Sequence, residues 1–376
     1  MRIIAAPNAF KGSLAAPAAA AAIARGCKRF DPACEVDQVP LADGGDGTAG
    51  CFVAAAGGRL ESHTVCGPLG QPVQAELGLL ADGRTAVVEM AAASGLALVP
   101  EARRDPWLTT SRGTGELIAA ATRRGRRRII VGIGGSATVD GGMGMLSALG
   151  VRFLDRNGEP VPEGGQGLAR IARIDCSDLL PELAASELIV ASDVTNPLCG
   201  PNGAAFVFGP QKGATAEQVA ALDAGLGNLA RAAADLGLAI ADFPGAGAAG
   251  GAGAALGGIL GARMVPGAQL LMEQCGFAER LRHADLVFTG EGRIDATTAA
   301  GKVPAAVCQA AAAAGVPVIV LGGEIAAGAE ALCGIGRVAL MPIVGGPLPL
   351  TAAMSCAAEL IERASERSLR LFTLGR

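Results

Sequence analysis

The chain has 376 residues and a formal net charge of −4, and its mean hydropathy of +0.41 gives enough apolar surface to offset the entropy of ordering, which excludes a disordered chain. No Tyr, one Trp and 10 Phe, with a pI near 5.4, exclude a stacking platform or a basic footprint for nucleic acid. Two histidines exclude a His-rich metal centre, and 56 glycines without a three-residue period exclude collagen and point to a site built from loops.

Met1 leads directly into a strand over Arg2–Ala6, so no signal peptide is expected. The strand empties into Pro7-Asn8-Ala9-Phe10-Lys11-Gly12-Ser13, where Lys11 either reaches toward a ligand or is a solvated lysine ahead of a helix. A second strand over Val36–Val39 precedes LADGGDGT (Leu41–Thr48). Asp43 and Asp46 around paired glycines suit Mg²⁺, or else an Asx-type turn with Thr48 capping the next helix. Val73–Leu80 and Thr85–Met90 read as a hairpin across Asp82-Gly83. Five arginines from Arg123 to Arg128 resemble a nucleic-acid patch, but they lie where a helix ends, and the helix dipole and solvation account for them.

The strand Arg128–Ile133 opens onto a glycine loop and a helix. Gly134 and Gly135 allow backbone N–H groups to approach an anion, and Ser136 and Thr138 add hydroxyl donors; the competing reading is a tight turn with helix caps. The same stretch satisfies G-x-G-x-x-A at Gly132, Gly134 and Ala137, with Asp155 as a ribose-binding acid. Asp155, however, opens Asp-Arg-Asn-Gly after Val151–Leu154, which reads better as a turn. The strand Leu188–Ser192 delivers Asp193 into ASDVTNPLCGPNG, where a carboxylate leaving a buried strand suits a metal or a hydroxyl proton. Residues 244–262 are uncharged and almost long enough to cross a bilayer, yet Gly and Ala contribute little transfer energy, so a Gly-rich loop entering a tightly packed helix is expected.

The strand Asp285–Thr289 opens onto TGEGRIDATTAAGK, which gathers Glu291, Arg293, Asp295, Thr297, Thr298 and Lys302. Acids that hold Mg²⁺ and cations that neutralise a moving phosphoryl group suit phosphoryl transfer. Lys302 is followed by Val303, so this is not a Walker A loop. Strands over Val316–Leu321 and Val338–Val344 end in further glycine turns. Continuous apolar strands alternating with Ala-rich helices indicate an α/β fold with strands buried on both faces, ligands lying outside their carboxyl ends. The hairpins indicate an inserted second domain. The ten cysteines contain no C-x-x-C pair and read as reduced thiols, and His63 and His283 read as structural.

Taken in order, IIAAPNAFKGSLAAPAAAAAI, VPLADGGDGT, GTGELI, GIGGSATVDGGMGML, SDVTNPLCGPNGAAFVFGPQKGA, TGEGRIDATTAAGK and VPVIVLGG resemble the bacterial glycerate kinase family, the single-chain type of glycerate and glucarate metabolism, over the whole chain. The resemblance implies ATP-dependent phosphorylation of D-glycerate with Mg²⁺, at O2 to give 2-phosphoglycerate or alternatively at O3. It implies a flavodoxin-like α/β domain with a mostly parallel sheet, discontinuous over 1–66 and 285–376, an inserted α/β domain over 67–284 with a mixed sheet and hairpins, and an active site in the cleft between them. On this reading Lys11, Asp193, Arg293 and Asp295 are catalytic, and Asp43, Asp193 and Glu291 are metal ligands. Gly134, Gly135, Ser136, Thr138, Asp140, Asn196, Lys212 and Lys302 bind substrate or phosphate. Where family members often carry P-D-S-F-K, this chain has Asn8-Ala9, and Ala296 stands where a glutamine is often nearby, so neither position 8 nor 296 is given a direct catalytic part. The partners expected are glycerate and ATP, with no nucleic acid or membrane, in a cytoplasmic monomer or homodimer. The readings from other classes are an NAD-dependent Rossmann-type oxidoreductase resting on Gly132, Gly134 and Asp155, and a non-catalytic small-acid-binding protein.

Overall fold

The computed structural model describes residues 1–299 and 301–374. Among them the strands in chain order are β1 (Arg2–Ala5), β2 (Glu35–Gln38), β3 (Gly58–Cys66), β4 (Pro72–Leu80), β5 (Thr85–Glu89), β6 (Arg128–Gly132), β7 (Arg152–Leu154), β8 (Arg173–Asp175), β9 (Glu187–Ala191), β10 (Arg263–Val265), β11 (Leu286–Ile294), β12 (Val318–Ile325) and β13 (Val338–Pro342). They fall into two compact units. The first comprises Met1–Asp43, Gly50–Ala56 and Ala268–Arg376, and the second Gly44–Ala49 and Gly57–Gly267.

The first unit holds an all-parallel sheet in the order β13-β12-β11-β1-β2. Its central strands are apolar on both faces: on one, Ile3, Ala5, Leu286, Phe288, Ile319 and Leu321 share a core with Ala19, Ala20 and Ile23 of the helix Ala16–Phe30 and Ile361, Ala364 and Leu369 of the helix Ala357–Thr373, and the helix Val303–Ala313 also packs against β11 and β12. A Cβ at Gly26 would stand 2.2 Å from the Glu362 carbonyl oxygen, so glycine there lets those two helices touch backbone to backbone. β11 continues five residues past the expected end at Thr289, pairing Glu291 with Gly322 and Arg293 with Glu324. Glycines permit this, since a Cβ at Gly290 would stand 2.1 Å from the Leu321 carbonyl oxygen and one at Gly323 2.4 Å from that of Gly292.

The second unit holds a mixed sheet in the order β10-β9-β6-β5-β4-β3, parallel from β10 to β5 and antiparallel from β5 to β3, together with the small ribbon β7-β8. The β4–β5 hairpin turns at Asp82, whose carboxylate accepts the N–H groups of Arg84 and Thr85 at 2.9 and 2.8 Å. Leu77, Val88, Ile129, Val131 and Val190 form its core with flanking helices. Residues 244–262 pack as tightly as their composition suggests. A Cβ at Gly250 would lie 1.9 Å from the Thr138 carbonyl oxygen, and one at Gly253 2.0 Å from that of Gly245. Among the described residues no helix is long and apolar enough to cross a membrane.

The units divide at other positions than the expected 66/67 and 284/285. β3 pairs along its whole length with β4 and so falls in the second unit. Residues 268–284 fall in the first, where Arg280 forms an ion pair with Asp37.

Candidate active site

In the first unit, the loops after β1 and β2 and the extended strand β11 bring an amide and two acids together. Asn8 follows β1, and its Nδ2 lies 3.5 Å from Asp43 Oδ2 and 3.4 Å from Glu291 Oε2. Both distances are long for a hydrogen bond, so the amide lies between two carboxylates without binding either tightly. Glu291 also accepts the Thr298 hydroxyl at 2.7 Å. Burial pushes the Glu291 carboxyl up from its ordinary value and the neighbouring Asp43 adds to this; the Thr298 hydroxyl, Lys302 and Asn8 oppose it.

The same loop directs Asp295 elsewhere. Its carboxylate accepts Thr297 N at 2.9 Å, the Thr297 hydroxyl at 2.6 Å and Thr298 N at 3.3 Å, capping the short helix Ala296–Ala299, and these bonds hold its pKa below the usual range. Arg293 is exposed and forms ion pairs with Asp295 at 3.3 Å and Glu324 at 3.2 Å. Lys11 is exposed on the loop closed by the Phe10–Leu14 bridge, with its backbone beside Gly292. The first unit therefore groups Asp43, Glu291 and Thr298 around Asn8, within the field of Lys302, and pairs Arg293 with Asp295.

In the second unit, the glycine loop after β6 differs from the expected backbone cradle. The Gly134 N–H donates to the Gly44 carbonyl at 2.9 Å and that of Ala137 to Ser94 at 2.9 Å. A Cβ at Gly134 would stand 2.8 Å from Gly45 Cα, so this glycine is required by the close passage of residues 44–45. Gly135, at φ +72°, is exposed. The amides that open the helix Met143–Ala148 are also taken. Fully buried Asp140 accepts Gly142 N at 3.1 Å and Gly144 N at 3.2 Å, as well as Ser111 N at 2.9 Å and the Ser111 hydroxyl at 2.7 Å. Burial pushes the Asp140 carboxyl up against those four bonds.

What the loop presents instead is a buried cation. Lys212 is 3% exposed, and its Nζ donates to Ser136 Oγ at 2.8 Å and to the Thr138 carbonyl at 2.7 Å. Burial pushes its pKa down to about 7, with Asp140 opposing. The Thr138 hydroxyl is buried and has no hydrogen-bond partner among the described residues.

Asp193 follows β9 and accepts Gly267 N at 3.1 Å. Asn196 donates to the Asn202 carbonyl at 2.9 Å. Asp155 accepts Asn157 N at 2.8 Å and Glu159 N at 3.1 Å and pairs with Arg170, so it closes its own turn, which counts against its serving as a ribose acid. Among the described residues no group of three or more His, Cys, Asp or Glu side chains is arranged to hold a metal ion.

The sequence assigns Asn8 no direct catalytic part and does not single out Ser111 or Glu89. Asn8 alone carried a signal, as a polar residue at a buried strand's end. Glu89, at the end of β5, accepts Gly47 N at 3.0 Å and Ala49 N, holding the DGGDGT loop, and burial pushes its carboxyl up to about 7. A carboxyl raised from 4.5 to about 7 adds stability that is complete below pH 4.5 and lost as pH rises through 7. Urea unfolding between pH 4.5 and 8 should show wild type losing stability relative to Glu89→Gln as pH rises. Parallel curves would exclude this titration.

The model of the glycerate kinase family matches residues 3–373. The chain is 50% identical over 364 residues to a glycerate kinase of Bacillus subtilis, covering 96% of this chain and 95% of that protein. It is 47% identical over 326 residues to a glycerate 2-kinase of Escherichia coli, 86% of each. A crystal structure from Salmonella typhimurium LT2, described as a candidate glycerate kinase 2, superposes with a TM-score of 0.86 at 43% identity and covers 100% of this chain and 99% of that one.

Proposed function

The chain belongs to the glycerate kinase family and is an ATP-dependent phosphotransferase acting on glycerate; from that premise we propose that it phosphorylates D-glycerate at O2, with Mg²⁺. The name of the Escherichia coli relative supports the O2 position. The observation that supports Mg²⁺ is the pair Asp43 and Glu291. Two carboxylates share one amide neighbour, and the charge of Asp43 opposes ionisation of Glu291. A cation removes that repulsion, and one or two carboxylates plus substrate phosphates is the ligand set this ion usually takes. When bound, it would supply neutralisation of charge on the phosphates.

The remaining work falls to other side chains. Asp193 accepts the proton of the attacking hydroxyl as its oxygen bonds to the γ-phosphorus and the bond to the β-phosphate oxygen breaks. Lys11, Arg293 and Lys302 stabilise the transferring group, while Ser136 with Lys212 receives an anionic oxygen of a substrate. We also propose a cytoplasmic location.

The test is incubation with D-glycerate, ATP and Mg²⁺. ADP release that depends on glycerate, and a phosphorus NMR signal coupled to the proton on C2, are expected. Coupling to the C3 protons would move the reaction to O3. Binding without turnover, or a glycerate-dependent absorbance change with NAD, would overturn the kinase reading.

A further inference from the structure

Resting on the reading that the Ser136 loop receives an anionic substrate oxygen, we propose that Lys212 is the positioning residue that sets the direction of the Ser136 hydroxyl and so links filling of that site to uptake of a proton. An ammonium has three donors and no acceptor. Where its Nζ bonds Ser136 Oγ at 2.8 Å and the Thr138 carbonyl at 2.7 Å, Oγ must accept, and the hydroxyl hydrogen is left for a third group. That third group is an anionic oxygen, either the carboxylate of glycerate or a phosphate of the nucleotide. The neighbouring Thr138 hydroxyl, buried and without a partner among the described residues, is a second donor on the same loop.

The neutral amine behaves differently. It keeps a donor for the Thr138 carbonyl but offers a lone pair to Ser136, so the hydroxyl can turn inward and the site loses its donor. The charged groups on the segments around Lys212 include Asp140, on the loop carrying Ser136; Asp46, whose carboxylate lies beside Gly135 of that loop; Arg104, whose backbone meets Gly213; and Asp105, which accepts from Gln218. Of these, Asp140 is the one whose field favours the ammonium. With Lys212 titrating near 7, most molecules hold the amine at pH 8. A bound anion beside Ser136 favours the ammonium, and the protein takes a proton from solvent as it binds.

Wild-type protein is titrated calorimetrically at pH 8 with D-glycerate alone and with ATP alone, each in two buffers of different ionisation enthalpy. Uptake approaching one proton is expected for the ligand whose anion meets Ser136, and little at pH 6. Lys212→Met should abolish this uptake and raise KM for that same substrate about tenfold, a size typical of a lost charge-assisted bond, with kcat changed less than about threefold. Ser136→Ala should raise the same KM. Adding Lys212→Met to Ser136→Ala should raise it little further, because the lysine acts through the serine.

Absence of proton uptake by wild type with either ligand overturns the inference without needing any variant, and so does strict additivity of the two substitutions. If Ser136→Ala raises a KM while either of those results holds, the anion site stands and only the role of Lys212 falls. If Ser136→Ala changes neither KM, the reading of the loop falls as well.

Discussion

Asp193→Asn is expected to lower kcat at least about a hundredfold, the scale on which a lost proton acceptor or metal ligand is felt, equivalent to about 2.7 kcal/mol of transition-state stabilisation. Asparagine is the informative replacement because it separates charge from structure. The carboxylate Oδ1 accepts Gly267 N at 3.1 Å, and an asparagine Oδ1 accepts that bond equally well. The variant should therefore unfold at nearly the wild-type urea midpoint while losing turnover. A variant with near-normal kcat would remove Asp193 from the chemistry, whatever its effect on KM. Loss of kcat together with a large fall in the midpoint would indicate that the side chain serves the fold.

The largest stability effect is expected at Asp140. Its two oxygens take four donors at 2.7 to 3.2 Å, three of them backbone N–H groups, in a position with no exposure. Asp140→Ala leaves those donors buried without partners, and a loss of about 3–5 kcal/mol is expected from urea unfolding. Asp140→Asn should cost less. Its oxygen can replace Oδ2, which holds Ser111 N, the Ser111 hydroxyl and Gly144 N, and only the bond from Gly142 N is replaced by an opposed pair of donors. A loss below about 1 kcal/mol for the alanine variant would show that the loop rearranges around the missing carboxylate. Asp140→Asn also removes the charge that favours the Lys212 ammonium. The pH at which substrate binding weakens should then move down relative to wild type.

The glycine loop after β6 shows how a motif can be legible while its hydrogen bonding is not. Strand, glycines, hydroxyls and helix are all where the pattern places them. The pattern carries no information about who occupies the backbone donors. Gly134 gives its N–H to Gly44, some ninety residues earlier in the chain, and Asp140 fills the start of the following helix. Lys212 reaches Ser136 across 76 residues of sequence. At that separation no local spacing rule connects them. The loop after β11 shows the same limit in the other direction, because Asp295 looks like a free acid in the sequence and is a helix cap in the structure.

The α/β alternation, the parallel strands expected over 128–133, 188–192 and 285–289, the hairpin at Asp82-Gly83 and the family membership were determined by the sequence alone, because hydrophobic period, turn chemistry and ordered motifs are local properties of the polymer. Tertiary structure decided which polar groups are already satisfied. Burial and hydrogen bonding depend on what distant segments bring alongside, and those neighbours make Lys212 a titratable cation, Glu89 a raised acid and Asn8 the amide between two carboxylates.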